Sequence, residues 1–145
     1  MKFKLPEKME EMWVLAAKDL REIDIASKLG ISKQAVNKAL RGARNRLTSM
    51  FLELAEIFNL NIIRINVEKG FMVATNQQIN TRVYVLYVPK RGPRTILGIK
   101  PYSKTSELAK HCKLLVNTAK ELNIISHVED ELDKAVEKLI EKMEE

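Results

Sequence analysis

Cysteine is almost absent from this chain, and several other features that would define a function are missing. Cys112 stands alone, which excludes an internal disulfide and any zinc site built from several cysteines. No apolar run approaches the roughly 18 residues that a membrane-spanning helix needs. There is no glycine-rich phosphate loop, no HExxH motif, and no serine or cysteine nucleophile spaced with a histidine and a carboxylate. We therefore expect a cytoplasmic protein that is not an enzyme and holds no metal or cofactor.

Basic charge dominates the chain but is unevenly distributed. The net charge of +6 comes from residues 1–47, with 11 Lys or Arg against 6 Asp or Glu, and from residues 48–123, with 11 against 5. Residues 124–145 have 3 against 8 and are acidic. This distribution fits an anionic polymer as partner, with the acidic end kept away from it. Ordinary solubilising charge is the alternative, and composition alone does not separate the two.

The stretch Asp19–Leu47 predicts two short helices joined by a tight turn. Gly30 suits the left-handed backbone that ends the first helix, and Ser32 suits the N-cap of the second. Asp19, with Glu22 three residues on, is expected to cap the first helix. The residues expected where the two helices touch are Ile25, Ala26, Leu29, Ile31, Val36, Ala39 and Leu40.

Polar side chains remain on the outer face of the second helix. Glutamine and asparagine can hydrogen-bond an adenine edge in two places, and lysine and arginine reach guanine edges or phosphates. A pair of helices that only pack together, or that bind another protein, is the alternative. The residues predicted to contact DNA from this segment are Ser32, Lys33, Gln34, Asn37, Lys38, Arg41 and Arg44.

Three motifs in this region match a known pattern. LPEK at Leu5–Lys8, IASKLGIS at Ile25–Ser32 and LRGARNRL at Leu40–Leu47 resemble the fourth conserved region of bacterial sigma factors and the archaeal transcriptional regulators of the Tfx type. The resemblance covers residues 5–47 and implies a trihelical helix-turn-helix that binds duplex DNA in the major groove. Arg21 stands where the family usually has a Ser or Thr cap. Nothing else in the chain resembles the polymerase-binding part of a sigma factor, so a stand-alone regulator is implied.

The second helix of the motif is predicted to continue to about residue 59, because apolar residues keep recurring every three or four positions. From Leu47 onward this seam needs a partner, either the same helix of a second subunit or the C-terminal helices of this chain. Gly42 is the expected weak point, where the helix could bend. We predict a homodimer that forms through Leu47, Met50, Phe51, Leu54, Ile57 and Phe58.

After Asn59 the apolar period changes to two, which predicts four strands of mainly antiparallel sheet in meander order. The turn between the last two strands places Lys90, Arg91 and Arg94 on an exposed tip that could lie on a DNA backbone. Plain surface charge is the alternative. Two further helices are expected, over about 104–122 and, from a capping box of Ser126 and Glu129, onward from 126.

The sequence therefore predicts an α+β protein with two domains. Residues 1–47 form the helix-turn-helix domain, and residues 60–145 form an antiparallel four-stranded sheet with two helices, for dimerisation and with ligand sensing as an open role. The predicted function is that of a sequence-specific transcriptional regulator that binds double-stranded DNA as a homodimer. The alternatives are a low-specificity chromosomal or viral DNA-binding protein, and an adaptor that uses the trihelical unit to bind another protein.

Overall fold

A computed structural model describes residues 3–145 of the chain. These residues form five helices and one four-stranded antiparallel sheet, which confirms the predicted α+β class. The helices are α1 (Glu7–Ala17), α2 (Glu22–Leu29), α3 (Lys33–Ile57), α4 (Ser106–Glu121) and α5 (Leu132–Glu144). The strands are β1 (Leu60–Asn66), β2 (Phe71–Asn76), β3 (Thr81–Val88) and β4 (Gly92–Leu97).

The sheet has the strand order β1-β2-β3-β4, so the predicted meander is confirmed. Helices cover both of its faces, as two tyrosines of β3 show. Tyr87 packs edge-on against Trp13 of α1, with ring centroids 5.6 Å apart. Tyr84, an odd number of positions away and therefore on the other face, donates a 2.6 Å hydrogen bond to Glu144 of α5. The C-terminal helices thus cover the sheet face opposite to α1.

The helix α3 runs without interruption through Gly42. Its buried residues extend over both halves of the helix. Gly42 is needed for packing, because a Cβ there would lie 2.9 Å from the terminal methyl of Met9 on α1. The predicted length of this helix is therefore confirmed, and Gly42, its expected weak point, does not interrupt it. The buried residues of α3 are Val36, Leu40, Ala43, Leu47, Met50, Phe51 and Ala55.

Three of the six residues predicted to form the dimer interface are buried within a single copy of the chain. Leu47 and Phe51 are fully buried and Met50 is 6% exposed within a single copy of the chain, because the sheet covers this side of α3. These three residues cannot also face a second subunit without unfolding the chain. Leu54 is partly buried, while Ile57 and Phe58 remain more than half exposed.

One contiguous core joins the N-terminal helices to the sheet and the C-terminal helices, so the two predicted domains are packed together. Trp13 of α1 is buried against the sheet. Its indole N–H donates a 2.9 Å hydrogen bond to the Val67 carbonyl. Gly70 makes room for it, since a Cβ there would lie 2.7 Å from the Trp13 ring.

Both predicted capping boxes are wrong. The helix α2 begins after Arg21, which makes no side-chain cap. Asp19 instead takes a positive φ of 70° just beyond α1, and its carboxylate accepts hydrogen bonds from Lys69 and Asn123. Those two hydrogen bonds, led by the one from Asn123, hold the pKa of Asp19 below its usual value.

At the other end of the chain, α5 begins at Leu132 and not near Ser126. Between α4 and α5 the chain buries Ile125 and packs Val128 against the core, so it crosses this surface in a non-helical conformation. Burial of these apolar side chains stabilises the chain more than the capping box of Ser126 and Glu129 would, so no helix begins there.

Candidate nucleic-acid interface

The turn between α2 and α3 has the geometry that the sequence predicts. Gly30 ends α2 in the left-handed conformation, with φ 66° and ψ 36°. The Ser32 hydroxyl accepts a 3.1 Å hydrogen bond from the backbone N–H of Ala35 and so caps α3. Ile31, expected in the contact between the helices, is instead 38% exposed. The turn fixes where α3 starts and which residues its first turns present to solvent.

The first two turns of α3 are divided into a buried side and a polar side. Val36 and Leu40 are buried, and α1 and α2 both pack against this helix. The opposite side, called here the exposed α3 face, consists of Lys33, Gln34, Asn37, Lys38 and Arg41, all of them exposed. Between Ile25 and Leu52 there are 6 Lys or Arg and no Asp or Glu, so the electrostatic potential near this face is positive.

Two residues of the exposed α3 face, Asn37 and Arg41, are already engaged. The Asn37 amide donates a 3.1 Å hydrogen bond to Glu22 of α2 and accepts a 3.0 Å bond from the Arg41 guanidinium. Gln34, Lys33 and Lys38 make no side-chain hydrogen bond to any residue in the range 3–145. The side chains that can meet a new partner without first losing a bond are therefore Gln34 and the two lysines.

Arg44 lies about one turn beyond Arg41 on α3 and is less exposed than the five residues of the exposed α3 face. Its side chain is 36% exposed and its Nε atom lies 4.0 Å from Glu68 in the turn between β1 and β2. That Nε is buried and lacks a hydrogen-bond partner among the described residues. A phosphate would have to compete with Glu68 for this guanidinium, and the contact of Arg44 with DNA stays a prediction.

The turn between β3 and β4, called here the basic turn, carries Lys90 and Arg91 on its exposed surface. Its backbone is anchored to α1, because the Glu10 carboxylate accepts a 2.9 Å hydrogen bond from the Lys90 N–H. Arg94 is half-buried and its guanidinium donates to the carbonyls of Arg91 and Pro93. Two of the three predicted cations therefore face solvent freely, and the third is held by the turn itself.

The basic turn also lies against the N-terminal segment. Gly92 has a φ of +92°, and a Cβ there would lie 2.5 Å from the Phe3 carbonyl oxygen. Phe3 and Lys4 in turn form one wall of an open groove of about 1110 Å³, whose other wall is α3. The sequence analysis did not single out Lys4, which lines this groove. The groove, called here the arm groove, is lined by Phe3, Lys4, Leu5, Pro6, Asn45, Arg46, Ser49, Met50 and Glu53.

A buried hydrogen-bonded pair holds this arrangement together. Tyr87 of β3 donates its hydroxyl proton to Glu10 of α1 and accepts a 2.8 Å hydrogen bond from the Leu5 N–H. Burial, and then the neighbouring Glu10 carboxylate, raise the pKa of Tyr87 above its usual value. The N-terminal segment, α1 and the basic turn are thus fixed to one another through two side chains.

Comparison of the chain with protein-family models, curated proteins and solved structures finds no significant match. In residues 3–145 no group of three or more His, Cys, Asp or Glu side chains is arranged to hold a metal ion. No helix in the same range is long and apolar enough to cross a bilayer.

Proposed function

We propose that this protein is a sequence-specific transcriptional regulator that binds double-stranded DNA. In this proposal α1, α2 and α3 form a trihelical helix-turn-helix unit, α3 enters the major groove, and the protein acts as a homodimer on DNA in the cytoplasm. The observation that supports it best is the exposed α3 face, which follows directly on a Gly30–Ser32 turn and whose own five residues include no carboxylate. Such a face at the start of a helix matches the chemistry of base edges and phosphates.

The roles within this face follow from which side chains are free. Gln34 offers an unengaged amide that can donate its N–H to N7 of adenine and accept from the N6 amino group in the bidentate manner. Asn37 can do the same only after it gives up its bonds to Glu22 and Arg41, so we assign it a smaller share of the discrimination. Lys33 and Lys38 flank Gln34 and would contact guanine edges or phosphates. The Ser32 hydroxyl accepts from Ala35, and its proton remains available for a phosphate oxygen.

Backbone contacts are assigned to the exposed cations beside α3. Lys90 and Arg91 of the basic turn and Lys4 of the arm groove lie along the N-terminal segment, and Arg46 lies on the opposite wall of that groove. Their charges would neutralise phosphates and position the protein without choosing a sequence. The acidic stretch 124–145 includes α5, which lies on the sheet face opposite to α1 and, in this proposal, away from the duplex.

The test begins with selection of bound duplexes from a random pool, which should return one common sequence motif. Affinity is then measured for the selected duplex and for random DNA with the wild type and with Gln34→Ala. The loss of a bidentate base contact should cost about 1 to 3 kcal/mol on the selected duplex and almost nothing on random DNA. Gln78→Ala is the matched control, because Gln78 is an exposed glutamine in the distant turn between β2 and β3.

Three results would contradict the proposal in different ways. If no motif emerges although DNA is bound, the protein is a low-specificity DNA-binding protein. If no DNA is bound even at low salt, the trihelical unit serves another partner, such as a protein. If Gln34→Ala retains full discrimination while folded, the exposed α3 face is not what distinguishes one sequence from another.

A further inference from the structure

The two edges of the sheet are protected very differently. The edge strand β4 contains Pro93, which lacks a backbone N–H, and its Gly92 is covered by the N-terminal segment. The Thr95 carbonyl is bonded to a ring nitrogen of His111 at 2.6 Å. Proline, covering segments and side-chain bonds of this kind are how proteins prevent an edge strand from pairing with another chain. The edge formed by β4 is therefore closed.

The opposite edge has none of these devices. The strand β1 is seven residues long, contains no proline or lysine, and within the range 3–145 pairs only with β2. Its one charged residue, Arg64, donates a hydrogen bond to the Met143 carbonyl of α5 and so does not guard the edge. A bulge between Ile62 and Arg64 leaves Ile63 without a partner on β2. Bulges can discourage edge pairing, but the residue left outside here is an isoleucine instead of a charged side chain.

Large apolar side chains are exposed around this open edge. Ile57 and Phe58 at the end of α3 are 55% and 57% exposed, and Ile62 and Ile63 of β1 are 37% and 48% exposed. The turn after β2 adds Ile79, which is 54% exposed. Because the β2 residue Asn76 is paired with Leu60, this turn leaves the sheet at the end where β1 begins. These five residues are called the β1-edge patch.

We propose that the β1-edge patch is the homodimer interface, with the β1 strands of two copies paired antiparallel about a two-fold axis. An antiparallel pair of identical strands is self-complementary, which a two-fold interface requires. The patch exposes on the order of 450 Å² per copy, so two copies would bury about 900 Å² before the paired backbones are counted, close to the roughly 1,000 Å² of a specific interface. An interface of this size lies at the low end of specific interfaces, where weak and transient contacts are found.

This dimer rests on contacts that the DNA-binding proposal does not use, so it can be tested without DNA. Sedimentation equilibrium of the wild type, over about 1 to 200 μM, should show a monomer–dimer equilibrium. Ile63→Lys should raise the dissociation constant at least about tenfold, since it places a charge at the edge. Ile99→Lys is the matched control, because Ile99 is exposed to a similar extent, 54% against 48% for Ile63, but follows β4 on the closed edge. It should dimerise like the wild type.

A second readout keeps the test valid if Ile63→Lys fails to fold. Phe58→Glu changes the patch outside the sheet and should also give a monomer. In wild-type protein, amide exchange within residues 60–66 should slow as concentration rises, while exchange within residues 92–97 should not change. A wild type that stays monomeric over the whole range would overturn the proposal. So would a dimer that persists in folded Ile63→Lys and Phe58→Glu variants, or one that Ile99→Lys also dissociates.

Discussion

The hydroxyl of Tyr87 makes two buried hydrogen bonds, so its removal should lower the free energy of unfolding substantially. It donates to the Glu10 carboxylate, a nearly buried charge that is 6% exposed, and it accepts from the Leu5 N–H. In Tyr87→Phe the charge-assisted bond is lost, which costs about 1.5 to 3 kcal/mol, and the Leu5 N–H is left buried without a partner, which costs about 1 to 3 kcal/mol more. We therefore expect a loss of about 2.5 to 6 kcal/mol, a large fraction of the roughly 5 to 15 kcal/mol that stabilises a domain.

Tyr84→Phe provides the matched comparison on the other face of the same strand. Tyr84 also donates to a carboxylate, but Glu144 is partly exposed and keeps an ion pair with Arg82 at 3.1 Å. Tyr84 accepts no hydrogen bond from any residue in the range 3–145, so its loss leaves no buried N–H without a partner, and this variant should lose only about 1 kcal/mol. Urea unfolding followed by circular dichroism measures both values. If Tyr87→Phe costs no more than Tyr84→Phe, the Glu10–Tyr87 pair does not hold the N-terminal helices to the sheet as argued here.

Two further predictions concern charge. Burial is the first cause that raises the pKa values of Tyr84 and Tyr87, so the fold favours their neutral forms. The free energy of unfolding should be constant below the ordinary tyrosine pKa of about 10 and should fall as the pH rises above it, and this fall should be smaller in Tyr87→Phe than in wild type. Urea unfolding from pH 8 to 11 checks this. Equal slopes of unfolding free energy against pH in the two proteins would contradict it. Separately, Lys90→Ala with Arg91→Ala should weaken binding to selected and random duplexes alike and flatten the salt dependence by up to about two units of log–log slope, whereas Lys134→Ala with Lys138→Ala, on α5, should change neither. If the dependence of affinity on salt concentration does not change, the basic turn does not contact phosphates and serves only as surface charge.

Local sequence patterns predicted most of the elements because those elements depend on local chemistry. The turn at Gly30 needs a residue that tolerates positive φ, and the start of α3 needs a capping hydroxyl at Ser32. The turn and the helix start can therefore be predicted from a few neighbouring residues. The strands were recognisable from their period of two, and their short connections allowed only a meander. The exposed α3 face followed from helical geometry in the same way.

Long-range contacts overturned the predictions that local patterns could not constrain. Asp19 forms no cap because Lys69, fifty positions away, binds its carboxylate. The seam from Leu47 to Phe51 looked unpartnered because nothing in the sequence shows that the sheet folds back onto this side of α3. Asn37 looked free for the same reason, since its partner Glu22 lies on another helix. The Glu10–Tyr87 pair spans 77 positions and left no local signal at all.

The lysine at position 69 shows why the N-terminal helices cannot pivot freely on the sheet. Its ammonium group donates to the Ala17 carbonyl at the end of α1 and to the Leu122 carbonyl at the end of α4, 3.2 Å away. A cation at two helix C-termini at once stabilises both helix ends and ties them to the turn between β1 and β2. The two sides of the molecule therefore form one body.

That rigidity connects the two proposed surfaces. The exposed α3 face and the β1-edge patch lie at opposite ends of one unbroken helix of 25 residues, which spans about 37 Å at 1.5 Å per residue. With no hinge along α3 and with α1 fixed to the sheet, the geometry of the β1 pairing sets the separation of the two exposed α3 faces in a dimer. The spacing between the half-sites of a DNA target would then be determined at the β1 edge, far from any residue that contacts a base.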